Sequence, residues 1–107
     1  MSTLTETGDA TYEEDIKKNT GPVLALFKSE WCPSCKRLWP IVEKVSEDYK
    51  DKVKFVWIDA AKNMKITAEF GVLAIPTLVF LKGGIEKARN IGYIPENDLK
   101  AFIDKNT

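Results

Sequence analysis

The sequence has no histidine among its 107 residues and only two cysteines. Without histidine there is no Ser–His or Cys–His catalysis, and most transition-metal sites lose their commonest nitrogen ligand. An excess of charge of either sign is also missing: 16 basic and 16 acidic side chains give a formal net charge of zero. The signs interleave, as in Glu43-Lys44 and Asp51-Lys52, so no basic stripe offers itself to nucleic acid or anionic lipid. No apolar run approaches the roughly 20 residues that span a bilayer. Met1 to Ala10 has neither a basic leader nor an apolar core, so no secretory signal is expected and a cytoplasmic protein is the default. Structural disulfides are rare in that compartment, which makes a close cysteine pair a catalytic or metal-binding feature.

What is present reads as one globular domain over residues 1–107. Apolar residues are 44% and charged residues 30%, an ordinary balance at a common domain size. Such a chain buries a core without disulfide staples. Residues 1–10 are polar and read as a loose lead-in with a short extended piece. Thr11 and Glu14 have capping-box spacing, which predicts a short helix from about Tyr12 to Lys18 with Tyr12 and Ile16 on one face. Asn19-Thr20-Gly21-Pro22 ends it.

Val23-Leu24-Ala25-Leu26-Phe27 is continuously apolar, which suits a central strand covered on both faces. Leu38, Val42, Val45 and Tyr49 recur at helical spacing, with Pro40 inside the stripe as an expected kink. Lys52 to Asp59 is a second, largely buried strand. Residues 61–70 read as a helix with Ile66 and Phe70 on one face and Gly71 as its cap. Leu78 to Leu81 is a third strand, and Gly83-Gly84 marks a tight turn into an antiparallel edge strand, Ile85 to Gly92. A last helix begins at Pro95, with Leu99, Phe102 and Ile103 on its buried face. Strands separated by helices, followed by a hairpin, predict an α/β fold: a mixed central β-sheet flanked by helices on both faces.

The two cysteines are Cys32 and Cys35, in the stretch Trp31-Cys32-Pro33-Ser34-Cys35-Lys36 between the first apolar strand and the long helical stripe. Two thiols at this spacing on a strand-to-helix corner can close and open a disulfide without moving the fold. A metal module would need four ligands, which only a dimer could supply from two thiols and no histidine.

Over nearly its full length the chain resembles the thioredoxins. The residues that carry the resemblance are Trp31-Cys32-x-x-Cys35-Lys36, Pro40, Asp59, Phe70-Gly71-Val72, Ile75-Pro76-Thr77, Lys82-x-Gly84, Gly92 and Leu99-x-x-Phe102. The resemblance implies the thioredoxin fold and a protein dithiol–disulfide oxidoreductase. The thiolate is the nucleophile, so a Cys32 at the positive helix end attacks a substrate disulfide and Cys35, one turn deeper, resolves the mixed disulfide. The family implies a cis bond before Pro76 and a docking surface of Trp31, Ile75, Pro76, Gly92 and Tyr93. Trp31, Pro33, Ser34, Lys36 and Pro76 would tune the pair. No cofactor is expected beyond the redox-active Cys32–Cys35 disulfide. The implied partners are a thioredoxin reductase as electron donor and disulfide-containing client proteins; nucleic acid and membrane are not expected, and a monomer is.

Four positions depart from the family pattern. Pro33-Ser34 stands where Gly-Pro is usual, and Ser34 could donate a hydrogen bond to the Cys32 thiolate. Leu26 and Phe55 occupy the places of a buried acid and its lysine partner, so the Cys35 proton would pass by another route: water, Lys28 or Glu30. Lys28 stands where a tryptophan is common. Tyr93 puts a ring where the docking groove usually has a small residue. Two other readings stay open. Cys32-Pro33-x-Cys35 and the Gly83-Gly84 pair also fit a glutaredoxin-like reductase of glutathione mixed disulfides. An oxidase or isomerase of the secretory pathway is disfavoured by the missing signal.

Overall fold

The apolar run Val23 to Phe27 lies in the middle of the sheet. In the computed structural model, which describes residues 3–107, it forms most of β2 (Pro22–Lys28), and its side chains are all buried. β3 (Lys54–Asp59) pairs with it in parallel and β4 (Thr77–Lys82) antiparallel. A two-residue β1 (Thr5–Glu6) adds in parallel to β3, and β5 (Ile85–Ile91) runs antiparallel along β4. The resulting order is β1-β3-β2-β4-β5, the mixed sheet expected.

Both faces are covered. α1 (Pro33–Tyr49) and α3 (Glu96–Asn106) pack Leu38, Val42, Val45, Leu99 and Ile103 onto Leu24, Leu26, Phe55, Leu78 and Phe80. On the other face, α2 (Met64–Glu69) and a π-type turn, Glu13–Lys17, bring Tyr12, Ile16 and Ile66 against Val23, Ala25, Phe27, Val56, Ile58, Val79 and Leu81. Successive side chains of β2 therefore enter different cores, which is why the strand does not alternate with polar residues. Each fully buried Leu, Ile or Phe contributes roughly 1.5–3 kcal/mol. The hairpin between β4 and β5 turns on Gly83 and Gly84, both at positive φ (63° and 75°), as a primed turn requires.

Several expectations are corrected. The Thr11–Glu14 capping box does not form: Tyr12 stands at the cap position and makes no side-chain capping bond. The Thr11 hydroxyl instead meets that of Thr7 at 3.0 Å, and the turn closes by a bond from the Lys18 N–H to the Glu13 carbonyl at 2.9 Å. The helix expected over 61–70 is shorter. Asp59 Oδ1 accepts from the Ala61 N–H at 3.0 Å and Asn63 Nδ2 donates to the Asp59 carbonyl at 3.0 Å, and these local bonds hold the preceding residues in a turn. β3 begins at Lys54 rather than Lys52, because the amides of Lys52 and Val53 close the end of α1 on the Tyr49 carbonyl. Phe102 is half-buried, edge-on to Phe80, rather than fully within its helix's buried face. α1 is one continuous helix through Pro40, as the unbroken apolar stripe implies. Residues 1 and 2 of the expected lead-in lie outside the described residues.

Candidate active site

Cys32 is the N-cap of α1, and Pro33 is its first helical residue. Proline suits that place, since its missing N–H would have no helical partner and its φ is preset. The Cys32 sulfur accepts a hydrogen bond from the Cys35 N–H at 3.2 Å, the bond a serine cap would make to the third helical residue. The positive end of a 17-residue helix is thus directed at this sulfur. The half-buried Cys32 thiol also donates to the Ile75 carbonyl at 3.7 Å. The Ile75–Pro76 bond is cis, as the resemblance implies, so the turn before β4 faces the start of α1.

Cys35 lies behind it and is only 2% exposed. Burial, above all, and the adjacent Cys32 sulfur push the Cys35 thiol up to about 11, while a backbone hydrogen bond of Ser29 and the Lys28 ammonium pull it down. Both cysteines are free thiols in this structure. Two equivalent thiols in the sequence have become unlike: one capped and reachable, one buried and held protonated.

The remaining expected residues gather at the same corner. Trp31 precedes Cys32 and is 72% exposed, an open aromatic surface rather than core. The Gly92 N–H donates to the Pro76 carbonyl at 2.8 Å, and Gly92 has φ +95°, a conformation that favours glycine. That bond sets the end of β5 beside the Pro76 turn and leaves Tyr93 exposed next to it. Pro33 and Lys36 are exposed on the first turn of α1. The Lys36 N–H bonds the Cys32 carbonyl at 3.1 Å. The expected bond from Ser34 is not made: the donor to the Cys32 sulfur is the Cys35 amide, not the Ser34 hydroxyl. Leu26 and Phe55 are both buried within the apolar core.

Three features of the site escape the sequence reading. The Arg37 guanidinium stands 4.8 Å from the centroid of the Tyr93 ring, a pairing across 56 residues with no local signal. Leu73 (98% exposed) and Ile91 add apolar surface on either side of the Pro76 turn. Third, the Lys28 Nζ lies 4.8 Å from the Trp39 ring centroid and 4.4 Å from that of Trp57. A cavity of about 340 Å³ lined by Lys28, Ser29, Glu30, Cys35, Lys36 and Trp39 adjoins the buried thiol. Among the described residues no group of three or more His, Cys, Asp or Glu is placed to hold a metal ion, and no helix is long and apolar enough to cross a membrane.

Comparison with known proteins gives the same picture. The Thioredoxin family model matches residues 3–105. A thioredoxin of Pseudomonas aeruginosa is 37% identical over 92% of this chain and 91% of its own length. A thioredoxin of Rickettsia bellii is 36% identical over 92% of this chain and 93% of its own. A thioredoxin of a Synechocystis species is 32% identical over 98% of each. Nothing in these comparisons favours a glutaredoxin-like reductase. The chain that carries the capped cysteine, the buried one behind it and the cis-proline turn is thus matched over residues 3–105: it belongs to the thioredoxin family, a family of thiol–disulfide oxidoreductases that carry their redox equivalents on the cysteine pair itself.

Proposed function

We propose that Cys32 is the attacking thiol and Cys35 the resolving thiol of a protein disulfide reductase. The asymmetry of the pair supports this reading most directly: Cys32 receives an N–H at the helix start, while Cys35 is buried and raised to about 11. The Cys32 thiolate attacks one sulfur of a client disulfide, which releases the other client sulfur as a thiolate. Cys35 loses its proton and attacks the Cys32 sulfur; the second client thiolate leaves and the Cys32–Cys35 disulfide closes. The client gains two electrons and the pair loses them. A thioredoxin reductase then returns the pair to the dithiol.

Clients dock over Trp31, Ile75, Pro76, Gly92 and Tyr93, with the Ile75 backbone turned to the client chain. Pro33, Ser34 and Lys36 border the sulfurs and tune the pair. Tyr93, steadied by Arg37, narrows the groove, so the client range is more selective than that of a groove lined by small residues. The chain acts as a monomer, a single thioredoxin-like domain over 1–107 in the cytoplasm, with neither nucleic acid nor membrane as partner.

The test uses Cys35→Ser and Cys32→Ser variants with a disulfide-bonded peptide. Cys35→Ser is expected to accumulate a peptide adduct on Cys32, located by mass spectrometry, and Cys32→Ser to accumulate none. Equal adduct on both variants would refute the assignment of roles.

A further inference from the structure

β2 ends at Lys28, two residues beyond Leu26, so its side chain points to the same face of the sheet as Leu24 and Leu26, towards α1. On that face the ammonium meets two indole rings, at 4.8 Å (Trp39) and 4.4 Å (Trp57). The rings are themselves edge-to-face, with centroids 5.7 Å apart and planes at 83°. A cation between two tryptophans is held by both ring faces and by burial of its aliphatic stem. Trp39 is four residues after Cys35 on α1, one turn along the same face, and Lys28, Trp39 and Cys35 line one cavity of about 340 Å³.

The other charges round this corner are accounted for. From the loop after β2, Glu30 is exposed and reaches Lys62 at 3.9 Å. From α1, Lys36 is exposed, and the Cys32 sulfur accepts the Cys35 N–H. From β3, Asp59, opposite Lys28 in the ladder, spends its Oδ1 on the Ala61 N–H. Leu26 and Phe55 bring no charge. Two cations line the cavity beside Cys35 among the described residues, and of these Lys36 is exposed while Lys28 is half-buried and held between the rings.

We propose that Lys28, clamped by Trp39 and Trp57, is a positioning residue for the resolving step: its charge favours the Cys35 thiolate that attacks Cys32 in the mixed disulfide. This rests on Cys35 being the resolving thiol. An ammonium has three protons and no lone pair, so Lys28 does not take the Cys35 proton. The proton goes to a solvent base, the Cys35 sulfur forms the new bond to Cys32, and the client sulfur leaves with the electron pair of the broken S–S bond. The role is greatest in the mixed disulfide. There the Cys32 sulfur bears no charge, so its repulsion of a Cys35 thiolate is gone and burial is opposed by the Ser29 backbone and Lys28.

Stopped-flow reaction of the reduced protein with dithiobis(nitrobenzoate) separates the steps. The first release of nitrothiobenzoate reports attack, and the second, independent of reagent concentration, reports resolution. Lys28→Met, which keeps a long apolar stem between the rings, should slow the second phase about three- to tenfold at pH 7, equivalent to half to one pKa unit. Its pH midpoint should move up and its rate converge with that of the parent protein at high pH, while Lys28→Arg should keep the parent profile. An unchanged midpoint in Lys28→Met would overturn the proposal, as would an equal shift in Lys28→Arg, which would assign the effect to packing. Lys28→Gln replaces the methionine variant if near-ultraviolet circular dichroism shows that one unfolded. Cys35→Ser is run alongside and should lose the second phase entirely. If it retains that phase, the assignment of roles falls, separately from any result at Lys28.

Discussion

Cys32 and Cys35 are the same residue type placed three positions apart, and the fold gives them opposite surroundings. With Cys35 raised to about 11 in the reduced pair, its thiol is almost wholly protonated at pH 7. Resolution should then quicken about tenfold for each pH unit, up to the Cys35 pKa of the mixed disulfide, as the stopped-flow second phase will show. At Trp31 the contrast is between surface and chemistry. An exposed ring contributes little to stability, so Trp31→Ala should change unfolding free energy by less than about 0.5 kcal/mol while raising KM for a protein disulfide. Leu26 is the reverse case, 1% exposed and apolar on all sides. Leu26→Asp would bury an acid with Phe55, not a lysine, in the partner's place, and should cost about 3–5 kcal/mol in urea unfolding.

At the scale of elements, α2 shows what sequence order conceals. Its six residues receive no side-chain cap from Asn63. The cap comes from Asp9, whose carboxylate accepts from the Ile66 N–H at 2.8 Å and the Lys65 N–H at 3.3 Å across more than 50 residues. Asp9→Ala should destabilise the protein by about 1 kcal/mol, the usual worth of a cap, measured as a lower urea midpoint at unchanged slope. The helix itself was legible from Ile66 and the stop at Gly71. Gly71, at φ 62°, closes a C-terminal motif in which the Val72 N–H bonds the Thr67 carbonyl and the Gly71 N–H that of Ala68. Its start was not legible, because the side chains of Asp59 and Asn63 compete with the helix and its cap lies on another part of the chain. The Thr11–Glu14 pair has the spacing of a box, but a competing local bond turns the Thr11 hydroxyl to Thr7, four residues back. β2 and β3 were legible because a continuous apolar run has few homes other than a strand covered on both faces.

At the scale of the whole molecule, two cores on opposite faces of one sheet hold the corner where β2 passes into α1. The sequence carried that corner plainly, through Cys32, Cys35 and the Ile75-Pro76-Thr77 turn. It did not carry the cation clamp or the Arg37–Tyr93 pair, since each needs β2, α1, β3 or the loop after β5 to be assembled first. The pH dependence of folding also belongs to this scale. In the unfolded chain Cys35 ionises near its ordinary value, and in the fold only near 11. The stability due to its protonated form is therefore complete below pH about 8.5 and lost as pH rises to about 11. Over that window the reduced protein should lose on the order of 2 kcal/mol more than its Cys35→Ser variant in equilibrium unfolding. On the acid side the signs reverse. Hydrogen bonds from Lys17 and Tyr12 hold the Glu69 carboxyl low, and one from Arg89 holds Glu86 low, so their contributions are present at neutral pH and lost as pH falls through the folded values.

The division of labour between the two thiols is the claim on which the rest depends, and limited alkylation tests it most directly. The reduced protein is treated at pH 7 with less than one equivalent of iodoacetamide, and the labelled cysteine is located by peptide mass. The capped, accessible Cys32 should carry nearly all of the label and the buried Cys35 almost none. Equal labelling, or label chiefly on Cys35, would contradict the account.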